Sequence, residues 1–179
     1  MNSINRNQPE ENRKDLLGQE AIDKIQELVQ QSSNCFFCTA EPNGRTRGVR
    51  PMNVREVDGQ GNLWFLSASD SHHIAELALN PEVQLYFQGS RHSDFLHLVG
   101  RASISADRRR IERLWEPALK TWFTGGIDDP RITVIQVEPV DGYYWDTKHG
   151  NFVAGVKVMI GAALGVTLDD SLEGAIKVS

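Results

Sequence analysis

The chain has 179 residues, a formal net charge of −5 and a hydrophobic fraction of 40%, enough for one domain with a substantial core. Its acidic balance excludes a general nucleic-acid binder, which presents a strongly basic face to phosphates. The opening MNSINRNQPEENRKD lacks the apolar stretch of a signal peptide, and the longest apolar-looking run, Phe152 to Val166, is too short for a membrane span and carries Lys157. The expectation is a cytoplasmic protein with no membrane partner and a flexible arm over residues 1–15.

From Asp15 to Gln30, Ile22, Ile25, Leu28 and Val29 recur at helical spacing in an otherwise polar segment and predict an amphipathic helix. Cys35 to Ala40 reads as a strand, Glu41-Pro42-Asn43-Gly44 as a tight turn, and Arg45 to Val57 as the returning strand. The two cysteines, Cys35 and Cys38, have C-x-x-C spacing. On a strand, residues three apart face opposite ways, so the sulfurs do not converge on a metal, and buried structural thiols are expected. Asp58 to Asn62 is a second turn leading into Leu63 to Ser67, which predicts an antiparallel meander.

The stretch LWFLSASDSHHIAELALNPEVQLYF, Leu63 to Phe87, is the most informative part of the chain. It reads as a strand, a hydroxyl-rich bend, a short helix opening on Ser71-His72-His73, a stop at Asn80-Pro81 and a second strand. Unpaired amides and the helix dipole at such a start favour an anion, so a phosphorylated cofactor is the first hypothesis. Asp94 to Ser105 is a further strand beyond the Gln88 to Ser93 loop. Asp107 caps a helix through Ile111 and Leu114 to Trp115, with a short helical piece after Pro117. Arg108-Arg109-Arg110 on that helix fits a solvated face with i,i+4 ion pairs. Ile132 to Val137 and, after Pro139, Gly142 to Trp145 are expected as two separate strands. Six or seven strands with few helices imply a mainly β (α+β) fold, a small barrel over residues 16–149. Residues 150–179 are weakly patterned, and an extension packed on the same domain is the expectation there.

A phosphate also wants a fixed cation. Arg50, in Arg50-Pro51-Met52 on the strand beside the one leading into the Ser71 bend, is the candidate, with Arg55 projecting from the opposite face. Pro51 cannot donate to a ladder and marks an edge or bulge. The alternative is that Arg47, Arg50 and Arg55 are ordinary surface residues. His72 and His73 point about 100° apart on a helix and rarely share one metal ion, and His92 and His97 lack a third ligand at a diagnostic spacing, so no metal site is expected. Ser67, Ser69 and Ser71 fit no nucleophile elbow. Among the aromatic residues, most of them core, Trp145 at a strand end is the one to wall a flat ring.

Together, Arg50-Pro51-Met52, the Leu63 to Pro81 block, Leu114-Trp115-Glu116-Pro117 with Trp122-Phe123, Gly125-Gly126 to Asp129-Pro130 and Tyr144-Trp145-Asp146 resemble the pyridoxamine phosphate oxidase-like flavin-binding proteins, in particular their small bacterial general stress branch. The resemblance spans about Ile22 to Asp146. It implies a six- to seven-stranded antiparallel split β-barrel with flanking short helices, and a homodimer with FMN at the interface, FAD being the alternative flavin. By position, Arg50, Pro51, Met52, Asn53 and Arg55 resemble the strand flanking the flavin. Leu66 and Ser67 resemble the backbone facing the isoalloxazine ring, and Ser71, His72 and His73 the phosphate turn. Phe95 stands where the oxidases bring a glutamine from the second subunit, and Trp145 matches a tryptophan of their C-terminal strand.

Two departures bear on function. His72 and His73 replace an Arg-Lys pair, which makes the charge of the turn pH-dependent. Asp146-Thr147-Lys148-His149-Gly150 replaces the Arg-x-His-Asp-Arg segment that grips the vitamin B6 substrate, so pyridoxamine phosphate oxidation is not expected. The expected function is an FMN-binding stress protein, an oxidoreductase on a small molecule. The alternatives are a non-enzymatic flavin store or sensor, or a haem-binding barrel with His97 as ligand.

Overall fold

Ala21, Ile22, Ile25, Leu28 and Val29 are buried along one face of α1 (Gln19–Gln31) in the computed structural model, which describes residues 12–41, 45–90, 94–147 and 171–178. The helix starts four residues later than its periodicity predicts, because the preceding β1 (Leu16–Leu17) is held in the sheet and Gly18, at φ 53°, turns the chain out of it. The expected turn at 42–44, the loop at 91–93, and residues 1–11 and 148–170 lie outside the described residues.

β2 (Asn34–Ala40) pairs antiparallel with β3 (Thr46–Asn53), as expected of a hairpin. Cys35 and Cys38 are both buried and free. Burial pushes the Cys35 thiol up to about 12, which keeps it protonated and unreactive. The strand expected over Arg45 to Val57 is two strands. Its ladder ends at Asn53, where the Val54 amide donates to Ser33 O and the Arg55 amide to Trp64 O. The chain then resumes as β4 (Glu56–Val57) against β5 (Leu63–Ala68). The expected meander is therefore two hairpins. Among the described residues β3 pairs with β2 alone, and β5 pairs with β4 and β8 (Ile132–Thr147). Pro51 accordingly sits on the last strand of the sheet, where its missing N–H costs no ladder bond.

Between these hairpins and β8 lie α2 (His72–Leu79), β6 (Glu82–Gln88) and β7 (Phe95–Ser105). The strands follow the order β1, β9 (Ser171–Lys177), β8, β7, β6, β2, β3. β8 is one strand of 16 residues rather than the two expected around Pro139. Its β5 partners end at Val137 and its β9 partners begin at Asp141. The β7 register shifts between Val99 and Gly100, opposite Pro139, so the absent proline donor falls in a gap and a bulge. Part of the C-terminal extension is thus a sheet strand. It also pairs in parallel with β1, and Arg13 bridges to Glu173. Residues 12–15, placed by the sequence in a flexible arm, instead run beside β9, and the Tyr144 hydroxyl donates to Lys14 O at 2.8 Å.

The main core gathers Phe37, Leu63, Phe65, Leu85, Leu98, Val137 and Tyr144 under α1, with Phe37 and Phe65 edge to face at 5.4 Å. Each such side chain contributes about 1.5–3 kcal/mol by burial. A second cluster of Trp64, Ile111, Leu114, Phe123, Ile132 and Val134 seats α3 (Arg108–Leu114) on the other face of β5 and β8. The Asp107 carboxylate caps α3, accepting from the Arg109 and Arg110 amides. Among the described residues seven strands have six residues or more, and the ladder between β3 and β5 is open: the architecture is a split β-barrel with short flanking helices.

Candidate functional site

β5 ends in the hydroxyl-rich bend, and Ser71 sits extended at the start of α2 with its hydroxyl making no capping bond. Ser67 Oγ and His73 Nε2 share a hydrogen bond of 2.6 Å, and Ser67 Oγ lies 3.4 Å from Ser71 Oγ. The His73 ring leans on Phe37, with centroids 6.4 Å apart, while His72 is exposed. Two hydroxyls and an imidazole therefore converge at a helix start, a donor set suited to a phosphate group.

Arg50 is engaged elsewhere. Its Nη2 donates to Glu76 Oε2 of α2 at 2.7 Å, and the same oxygen accepts from Thr39 Oγ1 at 2.6 Å. Arg55 turns to the end of α3, pairing with Glu116 at 2.5 Å and donating to Leu114 O at 3.4 Å and to Asn53 Oδ1 at 2.9 Å. The Asn53 side chain donates through Nδ2 to Ser33 Oγ and Asn34 Oδ1. Met52 packs against the main core and Leu66 against the α3 cluster.

Pro51, Phe95 and Trp145 meet on the outer face of the sheet. They line a groove of about 840 Å³ with Phe36, Tyr86 and His97, and neither Ser67, Ser71, His72 nor His73 reaches it. Pro51, Phe36, Tyr86 and His97 are successive cross-strand partners over β3, β2, β6 and β7, and Phe95 is the partner of Trp145. Tyr86 and His97 stack at 4.5 Å and 14°, and both reach Gln84 Oε1, at 2.7 and 3.3 Å. Burial pushes the His97 pKa below the ordinary histidine value against the opposing pull of Asp141. Phe36 is 59% exposed and Trp145 43%, an apolar face of the kind that marks a binding surface. Phe36 and Tyr86 were not candidates from the sequence. The available signal was that both strands carry aromatics at outward as well as inward positions.

The model of the family described as pyridoxamine 5'-phosphate oxidase like matches residues 20–169. Protein bli-3 of Neurospora crassa is 31% identical over 133 residues, covering 68% of this chain and 64% of its own length. General stress protein 26 of Bacillus subtilis is 26% identical over 82 residues, 44% of this chain and 58% of its own. The chain thus spans about six-tenths of these relatives. Among solved structures, a general stress protein 26 of Jannaschia sp. CCS1 superposes with a TM-score of 0.72 at 19% identity, covering 87% of this chain and 96% of that one. A general stress FMN/FAD-binding protein of Xanthomonas citri gives 0.56 at 24% identity, covering 67% and 84%. At these identities the structures establish the shared fold. No helix among the described residues is long and apolar enough to cross a membrane.

Proposed function

The chain belongs to the pyridoxamine 5'-phosphate oxidase-like family, and on that premise we propose that it is a flavin-binding protein of the general stress type, holding FMN, or FAD in its place, between two copies of itself. The observation that carries this reading is the division of the site residues into two sets. The Ser67, Ser71 and His73 bend suits a phosphate and is closed within one chain. The groove with Phe95 and Trp145 suits a flat ring and is open. A second copy laid over the aromatic face supplies what each set lacks, and the exposed Phe36 and Trp145 support such a cover. The Xanthomonas citri neighbour, named for FMN/FAD binding, supports the choice of ligand.

When bound, the flavin supplies hydride or electron transfer, and the protein supplies position and electrostatics. The residues support an oxidoreductase acting on a small molecule rather than on a vitamin B6 phosphate. Asp146, which opens the segment replacing the substrate-binding motif, is buried and ion-paired with Lys24 at 2.9 Å. His97 is stacked and hydrogen-bonded within the sheet, which supports flavin over haem. The test is reconstitution of purified protein with FMN. Retained yellow colour, one flavin per chain and a dimer by light scattering are expected. A colourless monomer that ignores added FMN would refute the proposal. NAD(P)H oxidation by the loaded protein then separates an enzyme from a carrier.

A further inference from the structure

Gln84, Tyr86 and His97 form one unit on the outer face of the sheet. Gln84 and Tyr86 are two residues apart on β6 and share that face, and His97 on β7 is the cross-strand partner of Tyr86. The Tyr86 hydroxyl donates to Gln84 Oε1 at 2.7 Å, and His97 Nε2 meets the same oxygen at 3.3 Å. An amide oxygen only accepts, so Nε2 carries the ring hydrogen. The Tyr86 ring, 4.5 Å away and 14° from parallel, holds the imidazole flat against it.

The consequence falls on the other ring nitrogen. Burial keeps the His97 pKa below the ordinary histidine value, so at neutral pH the ring carries its single hydrogen on Nε2 and Nδ1 is a bare acceptor. Nδ1 receives no hydrogen bond from any described residue. The carboxylate on the groove wall is occupied by contrast: Lys24 Nζ donates to Asp146 at 2.9 Å and the Thr147 amide at 2.7 Å. The groove, about 840 Å³ and walled by Phe36, Tyr86, Phe95 and Trp145, has room for a ring compound. Such walls hold a flat ring whatever its edge carries. Nδ1 distinguishes an edge that donates a hydrogen bond from one that does not.

We infer that His97 is a specificity-determining residue, held by Gln84 as its positioning residue: Nδ1 accepts from an O–H or N–H on the edge of a planar aromatic substrate in the groove. The inference goes beyond the flavin reading and is decided separately from it. The probes are 2-naphthol and 2-methoxynaphthalene, which share one ring body and differ in the donor. By calorimetry the wild-type protein as purified should bind 2-naphthol about fivefold tighter or more. His97→Phe, which keeps a ring against Tyr86, should bind the two equally, and His97→Asn, which retains an acceptor near the place of Nδ1, should keep the preference. The nitrogen-15 spectrum of the His97 ring should show Nε2 protonated and Nδ1 bare in wild type, and a mixture of tautomers in Gln84→Leu. Equal affinity of the wild type for both probes, binding of neither, a preference that survives in His97→Phe, or a ring protonated on Nδ1 in place of Nε2 would overturn the inference. If the wild type prefers 2-naphthol yet retains no FMN, the flavin reading alone falls.

Discussion

The bend at Ser67 to His73 and the aromatic groove meet their chemical needs in opposite ways. The bend is local and satisfied: residues at most six apart in sequence bond one another. The groove is assembled from strands far apart in sequence and leaves Phe36, Tyr86 and Trp145 more than 40% exposed. A region that closes on itself is legible from a motif, whereas one assembled across distant strands is visible only once the strands are ordered.

The largest effect should come from charging the open region. Phe36→Asp leaves the fold intact, since the position already faces solvent in one chain. It should weaken self-association by about 2 kcal/mol or more, because a dimer would bury the new carboxylate. Light scattering against concentration checks this, and a dimer that survives the change would detach the groove from assembly.

A smaller effect is expected in the closed region. Ser67→Ala should cost about 1 kcal/mol of FMN affinity, as the loss of one hydrogen bond, and leave riboflavin, which lacks the phosphate, unaffected.

Away from both regions, Arg131 beside Asp129, with the Arg131 amide, holds the Asp129 carboxyl down to about 2. Its folded value lies below the unfolded one, so its stabilisation is full above the ordinary 3.8 and is lost as pH falls toward 2. Asp129→Asn should lower the melting temperature at pH 7, with the gap to wild type closing in acid. The smallest effect concerns Cys35, whose raised thiol should alkylate slowly at pH 8 in the native protein and rapidly once unfolded.

What the sequence made legible follows physical range. The span of α2 was clear because Ser71 and Pro81 act on their immediate neighbours. The break after Asn53 was not, since it depends on Val54 finding Ser33 and on β4 finding β5. Pro139 signalled an interruption that partner exchange along β8 removes. β9, with the weak pattern SLEGAIK, is a strand because β8 and β1 offer it an edge on either side. In the candidate site, the bend and the Phe95 and Trp145 positions were legible. The capture of Arg50 by Glu76, 26 residues away on another element, was not.

The central claim, that the bend of one copy and the groove of the other build each flavin site, is tested most directly by complementation. A Ser67→Ala, His73→Ala chain and a Phe95→Ala, Trp145→Ala chain, each expected to bind FMN poorly, are co-expressed with different tags and the mixed dimer is purified. Shared sites predict one intact site, hence one tightly held FMN per mixed dimer. A mixed dimer as poor in FMN as either parent would contradict the account.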